Sequence, residues 1–347
     1  MKFNAAILVE SKQPLVVDEI NLVNPLRAGQ VLVEILFSGI CGAQINEIDA
    51  VKGVDKFLPH LLGHEGIGVV RETGELVKHV KEGDRVVLHW MPGEGFQSLP
   101  AEYLWQGRKL NSGWVTTFSE MTVVSGNRVT PIVSTLDLEL LPLFGCAATT
   151  AFGVIANDAK VKFGDSIVII GTGGVGLLTI EVARASGAHP IIGVEKFENR
   201  IQAALDFGSN IVFKTKEKHE LKNEILTFLG GASPDVVIET SGNTEMIELS
   251  YELISKQGRA VLVGVPKHDD PAKIDTLPLH FETVLIGSKG GQTKPQFDIP
   301  KLVKLAELDM FRVSKIPINK VRLGNINDGI KNLRDGFPGR TIVEMKN

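Results

Sequence analysis

The 347-residue sequence predicts an α/β protein, a doubly wound parallel sheet accompanied by a β-rich part. Three observations carry this. Residues up to about 145 hold short apolar runs punctuated by Gly-Asp and Thr-Gly turns, whereas from about Gly153 strand and helix patterns alternate. Ile167 to Ile170 is an unbroken β-branched run, as a strand buried on both faces requires, and a helix pattern follows almost at once. Between them Gly171, Gly173 and Gly176 make G-x-G-x-x-G, which needs glycine for a tight turn, for backbone approach to a pyrophosphate and for close helix-strand packing.

In chain order, alternation over Val31 to Phe37 gives a strand, and Gly66 to Val70 and Arg85 to Leu88 give shorter ones. Residues 91 to 113 carry Pro92, Gly93, Gly95, Pro100, Gly107 and Gly113 with little periodicity, and read as a long excursion loop or lobe. After Ile167 to Ile170 and its helix come a strand Pro190 to Val194, a helix Asn199 to Phe207, a strand Ile211 to Phe213 and a helix near Glu220 to Leu229. Asp235 to Glu239, a helix Thr244 to Ser255, Arg259 to Val265 and Thr283 to Gly287 complete roughly six strands, the Rossmann pattern. A helix over Leu302 to Leu308 and a strand Arg340 to Glu344 finish the chain.

Within this order Glu195 ends the second strand nineteen residues past Gly176, where a carboxylate holds the ribose hydroxyls of a dinucleotide. Gly174 and Val175, inside the glycine loop, join the expected cofactor contacts, with the phosphates on the helix N-terminus. Charge favours neither nucleic acid nor membrane, since 37 Lys and Arg face 41 Asp and Glu for a net of -4. Two cysteines, Cys41 and Cys146, exclude a disulfide framework and suit a reducing cytoplasm. Ala5 to Val9 is too short for a signal core, and nowhere do eighteen apolar residues run together.

Cys41 lies just past a predicted strand and His64 and Glu65 just before another, while Cys146 lies in Gly145-Cys146-Ala147. Their spacing matches no local zinc signature, so on residues alone the cysteines read as buried small hydrophobes or as ligands.

Gly-Ile-Cys-Gly around Cys41, Leu-Gly-His-Glu-Gly around His64, Gly83-Asp84-Arg85-Val86-Val87, Gly145-Cys146 with Thr150, the glycine loop and Leu262-Val263-Gly264-Val265-Pro266 occur in this order along the chain. Together they resemble the zinc-containing alcohol dehydrogenases of the medium-chain dehydrogenase/reductase superfamily. The resemblance implies a GroES-like catalytic domain split over 1 to 147 and 291 to 347, with the Rossmann dinucleotide domain, 148 to 290, inserted. It implies that Cys41, His64 and Cys146 hold a catalytic zinc that Glu65 can approach, the fourth place being left to water or an alcohol. It further places Thr150 beside the nicotinamide, Glu195 and Arg200 on the adenosine ribose, Val263 near the cofactor and Arg340 on the pyrophosphate.

Departures from the pattern are as informative. No cysteine occurs between Met91 and Thr130, so the family's structural zinc is expected to be absent. Ala43 replaces the hydroxyl that relays the alcohol's proton, and Gln44 replaces the carboxylate behind the metal's histidine, leaving water, a substrate hydroxyl or Asn46 as the relay. The tryptophans, Trp90, Trp105 and Trp114, lie in or beside the lobe with Tyr103, Phe118, His89, Arg108 and Lys109. Read as a pocket lined by Ala43, Trp90, Trp114 and Phe118, this group suits a polyol, a sugar derivative or an aromatic alcohol; read otherwise, it is a small cluster holding the lobe together. The expected function is NAD-dependent interconversion of an alcohol and a carbonyl compound, Glu195 disfavouring NADP, in a homodimer or homotetramer. A zinc-free reductase of activated double bonds and an inactive nucleotide-binding sensor are the alternatives.

Overall fold

The computed structural model describes residues 1–345, so Lys346 and Asn347 of the predicted 291 to 347 segment lie outside the described residues. Six parallel strands form one sheet in the order Ile211–Lys214, Ile191–Glu195, Ile167–Ile170, Val236–Glu239, Arg259–Leu262 and Val284–Gly287. The first strand in sequence is thus central, the connections diverge on either side of it, and a crevice opens at its carboxyl end. Every residue of Ile167–Ile170 is buried because both faces are covered. Ile167 and Ile169 pack with Leu177, Leu178, Ala204 and Phe207 of helices Gly174–Ala185 and Glu198–Phe207. Val168 and Ile170 pack with Leu221, Ile225, Met246 and Leu249 of helices Lys218–Phe228 and Thr244–Leu253.

The remaining strands form two sheets. One runs His60–Leu61, Lys2–Leu8, Val16–Leu22, Tyr103–Trp105, Arg108–Leu110. The other runs Val129–Pro131, Arg85–His89, Glu65–Thr73, Gln30–Ile40, Arg340–Glu344, Ile318–Arg322, with Met121–Ser125 also on Gln30–Ile40. Gln30–Ile40 is the spine of this sheet, and register shifts after Leu32 and Ile35 let it curve. The last strand, which follows the parallel sheet in the chain, pairs antiparallel with this spine, Thr341 opposite Ile40. One core cluster joins Ile67, Val87 and Ile342 of the β part to Ile167 and Ile238 of the parallel sheet through Leu141, Phe144 and Ala148.

Several expectations need correcting. Residues 91 to 113 are not all loop: Tyr103–Trp105 and Arg108–Leu110 form a hairpin on Gln106-Gly107, both residues with positive φ, 49° and 74°. That is the two-residue turn whose twist matches paired strands. The helix expected from Leu302 begins at Pro295, proline being admissible in a first turn. The strand expected to Val265 stops at Leu262, leaving Val263 in the following loop. Among the described residues no single helix is long and apolar enough to cross a membrane, and the bent pair Leu138–Gly145 with Ala147–Asp158 contributes largely to the shared core.

Candidate active site

Three loops bring the sulfur and imidazole groups together. Cys41 follows the spine strand and caps helix Gly42–Ile48. His64 directly precedes strand Glu65–Thr73, on a backbone that only glycine permits: Gly63 has φ +94°, and a Cβ there would lie 2.7 Å from the Phe118 amide nitrogen. Cys146 occupies the elbow between Leu138–Gly145 and helix Ala147–Gly153, at φ -150° and ψ -71°. The two Sγ atoms and a ring nitrogen of His64 lie within 4.8 Å of one another.

The donor set fits a zinc ion. His64 Nε2 is buried without a hydrogen-bond partner, and its Nδ1 lies 2.5 Å from the Gln44 side-chain amide, whose Oε1 is also buried and unpartnered. Exchanging the two ends of that amide, which fill the same volume, lets Oε1 accept from Nδ1–H and leaves the Nε2 lone pair for a metal. Hydrogen bonding from Cys146 holds the Cys41 thiol well below its ordinary range against burial, with His64 and Arg340 acting the same way. The same pairing and burial push Cys146 up, while hydrogen bonding from Thr150 and Trp90 opposes that rise.

Glu65 stands behind this cluster rather than in it. Its carboxylate forms a buried ion pair with Arg340 and accepts from Ala147 N–H at 3.4 Å. Gly39 and Gly145 leave it room, since a Cβ on Gly39 would meet Glu65 Oε1 at 2.2 Å. Arg340, 2% exposed, reaches on to the glycine loop, where a Cβ on Gly174 would fall 2.3 Å from its Cδ. One guanidinium thus connects the carboxylate beside the candidate metal ligands to the start of helix Gly174–Ala185.

The glycine loop is held from below. Gly171 has φ +87°, and a Cβ on Gly176 would sit 2.0 Å from the Gly171 carbonyl. Glu195 accepts from Thr172 N and Oγ1 at 2.9 and 3.0 Å, and from the amides of Lys196 and Phe197 at 2.8 and 3.0 Å. Arg200 lies 4.0 Å from that carboxylate, packs its guanidinium over the Phe197 ring and donates from Nε to the carbonyls of Gly336 and Phe337. Burial lowers its pKa. Val263 N–H donates to the Glu239 carbonyl at 2.7 Å.

Glu239 is a residue the sequence reading missed. Its buried carboxyl takes the amides of Ser241 and Gly242 and the Ser241 hydroxyl, fixing the turn beside the loop of Val263, and burial raises its pKa. The available signal was its place at a strand end, the same as that of Glu195.

The structure divides the aromatic group. Trp90 follows strand Arg85–His89 and covers Gly290. Trp114 is half exposed, with Arg128 over its ring. Phe118 does not line a pocket: it is 1% exposed, in the core with Ala6, Leu8 and Leu88. Tyr103 is likewise core, its hydroxyl accepting from Val123 N–H, and Trp105 donates to Asp18. Arg108 and Lys109 are exposed on the hairpin. Ala43 is exposed on helix Gly42–Ile48.

Family models match both parts of the chain, the alcohol dehydrogenase GroES-like domain over residues 27–134 and the zinc-binding dehydrogenase over residues 174–307. Alcohol dehydrogenase 1 of Trifolium repens is 30% identical over 375 residues, and alcohol dehydrogenase of Malus domestica 31% over 376, each comparison covering 100% of this chain and 98% of the relative. An alcohol dehydrogenase zinc-binding domain protein from Burkholderia ambifaria superposes with TM-score 0.89 at 25% identity, covering 100% of both chains. Benzyl alcohol dehydrogenase from Acinetobacter calcoaceticus does so with TM-score 0.87 at 23% identity and the same coverage, a likeness of fold alone.

Proposed function

Since the chain belongs to the zinc-type alcohol dehydrogenase family of oxidoreductases, we propose that it oxidises a ring-bearing primary alcohol with NAD, using one zinc ion held by Cys41, His64 and Cys146. What supports this most directly is the meeting of two thiols and an imidazole within 4.8 Å, with His64 Nε2 left unpartnered in the interior. Such a zinc supplies Lewis acidity toward a hydroxyl oxygen, and the nicotinamide supplies the hydride acceptor.

The chain's own groups do the rest. Gln44 orients the His64 ring and fixes its tautomer. Hydrogen bonding from Thr150 and Trp90 acts on the Cys146 thiol. The amides at the start of helix Gly174–Ala185, with Arg340 behind them, receive the pyrophosphate. Glu195, whose oxygens are held by Thr172, Lys196 and Phe197, places its charge at the strand end where the ribose is expected and repels the additional phosphate of NADP. Ala43 has no hydroxyl, so the alcohol's proton leaves through water. An aromatic rather than a sugar or polyol substrate is supported by the placement of Tyr103 and Trp105, which are engaged with Val123 and Asp18, and of Arg108 and Lys109, which are exposed on the hairpin.

We take 1–147 with 291–347 as the catalytic domain and 148–290 as the nucleotide domain. Two copies pair along the free edge strand Val284–Gly287, beside which Leu277, Leu279, Phe281 and Val284 are exposed. Two unbridged thiols at the site support a cytoplasmic setting. The test is NADH formation from benzyl alcohol, a sugar alcohol and a short diol. Turnover of benzyl alcohol at the highest kcat/KM is expected; reduction of an activated double bond without zinc, or NADH binding without turnover of any alcohol, would overturn the reading.

A further inference from the structure

Two buried glutamates flank the central strand of the parallel sheet. Glu195 ends Ile191–Glu195 and Glu239 ends Val236–Glu239, the neighbours of Ile167–Ile170 on its two sides, and they are 3% and 0% exposed. A doubly wound sheet takes a dinucleotide across the crevice where its strand order reverses, one mononucleotide half on each side. With the adenosine half assigned to the Glu195 side, Glu239 stands on the side of the nicotinamide half.

Glu239 and the residue after it join three loops there. Its Oε1 accepts from the Ser241 amide at 2.6 Å, from the Ser241 hydroxyl and from the Gly242 amide at 3.0 Å, and Oε2 shares the Gly242 amide at 3.1 Å. Its main-chain carbonyl accepts from the amides of Val263 and Gly264 at 2.7 and 3.0 Å, which holds the loop after strand Arg259–Leu262. The two turns touch, since a Cβ on Gly264 would lie 2.1 Å from the Gly242 nitrogen and 2.8 Å from Glu239 Oε2. Thr240 donates through Oγ1 to the carbonyls of Ile170 and Gly171 at 3.0 and 2.7 Å, so the same turn is fastened to the glycine loop. Ser241 and Val265 stay exposed on these turns.

We propose that Glu239 is a positioning residue for the nicotinamide half of the cofactor: its carboxylate fixes the turn 240–243 against the loop 263–265, and these two turns receive that half. This deepens the NAD-dependent reading and rests on it. A carboxylate suits the task because three donors converge on it and both of its oxygens accept. An apolar side chain of similar length would leave those donors without a partner and free the turn from its seat.

The test measures NADH affinity by fluorescence titration and AMP affinity by calorimetry in Glu239→Met and Glu239→Gln, AMP carrying the adenosine half alone. Glu239→Met, which removes every acceptor, should weaken NADH by about tenfold or more and leave AMP within about twofold. Glu239→Gln, which keeps one acceptor oxygen, should weaken NADH by about threefold and leave AMP unchanged. An equal loss for NADH and AMP, or a fall in melting temperature with both affinities intact, would make Glu239 a residue of stability alone and overturn the proposal. Should Glu239→Met not fold, Glu239→Gln decides, and NADH affinity equal to that of wild type then overturns it. Wild-type protein is measured first: if it binds neither NADH nor AMP, the NAD-dependent reading fails, whereas wild-type binding of both with no loss selective for NADH in the variants sinks only the assignment of Glu239.

Discussion

Gln44 stands where a carboxylate would strengthen an imidazole bound to a metal, the role proposed for His64, and its amide instead orients that ring as a neutral partner. Gln44→Ala should therefore weaken zinc binding about 10- to 100-fold in competition with a chelator; unchanged affinity would mean that the ring is oriented by other contacts. His89 makes a second residue-level prediction. Its ring is buried between the Met91 carbonyl, 2.7 Å from Nδ1, and the Thr130 hydroxyl, 3.0 Å from Nε2, and burial lowers its pKa from 6.5 to about 4. Between those values the unfolded chain binds more protons than the folded one, so stability falls as pH drops from about 6.5 toward about 4 and is flat above. The loss for this group approaches about 3 kcal/mol. Urea unfolding across that range should show a shallower slope in His89→Gln; identical slopes would contradict it. Arg340 teaches a different lesson: its number and type matched a family position, but only the folded chain places it between Glu65 and Gly174.

At the scale of elements, the parallel sheet was legible and the β part much less so. Ile167–Ile170, Ile191–Glu195 and Val236–Glu239 are buried throughout, so their apolar runs and flanking glycines mark them to within a residue. Val16–Leu22 reads Val-Val-Asp-Glu-Ile-Asn-Leu with only two buried positions, and its partners lie at residues 2–7 and 103–104, far from any local pattern. The Gln106-Gly107 turn was visible, yet it was read as a breaker because the flanking strands are three residues long. The glycine loop carries the sharpest element-level test. Gly176→Ala would drive a methyl group into the Gly171 carbonyl, a backbone atom that cannot turn aside. The expected result is loss of at least about tenfold in NADH affinity by fluorescence titration; wild-type affinity would show the loop to be looser than its contacts imply.

Across the whole molecule, cationic side chains tie the nucleotide sheet to the β part. Arg200 reaches the carbonyls of Gly336 and Phe337, Arg312 pairs with buried Glu181, and the Arg340 side chain, paired with Glu65 within the β part, lies against Gly174 of the glycine loop. Sequence patterns mark local elements and are silent on such long-range pairings. Pairing of two copies belongs to the same scale: Phe281→Asp on the exposed edge should convert a dimer to a monomer by light scattering, and an unshifted mass would place the interface elsewhere. Metal content bears on the central claim most directly. Protein purified with its metal retained should hold one zinc per chain, and Cys146→Ser should lose both that zinc and NAD-linked alcohol oxidation while keeping its circular dichroism. Full turnover by protein that contains no zinc would contradict it.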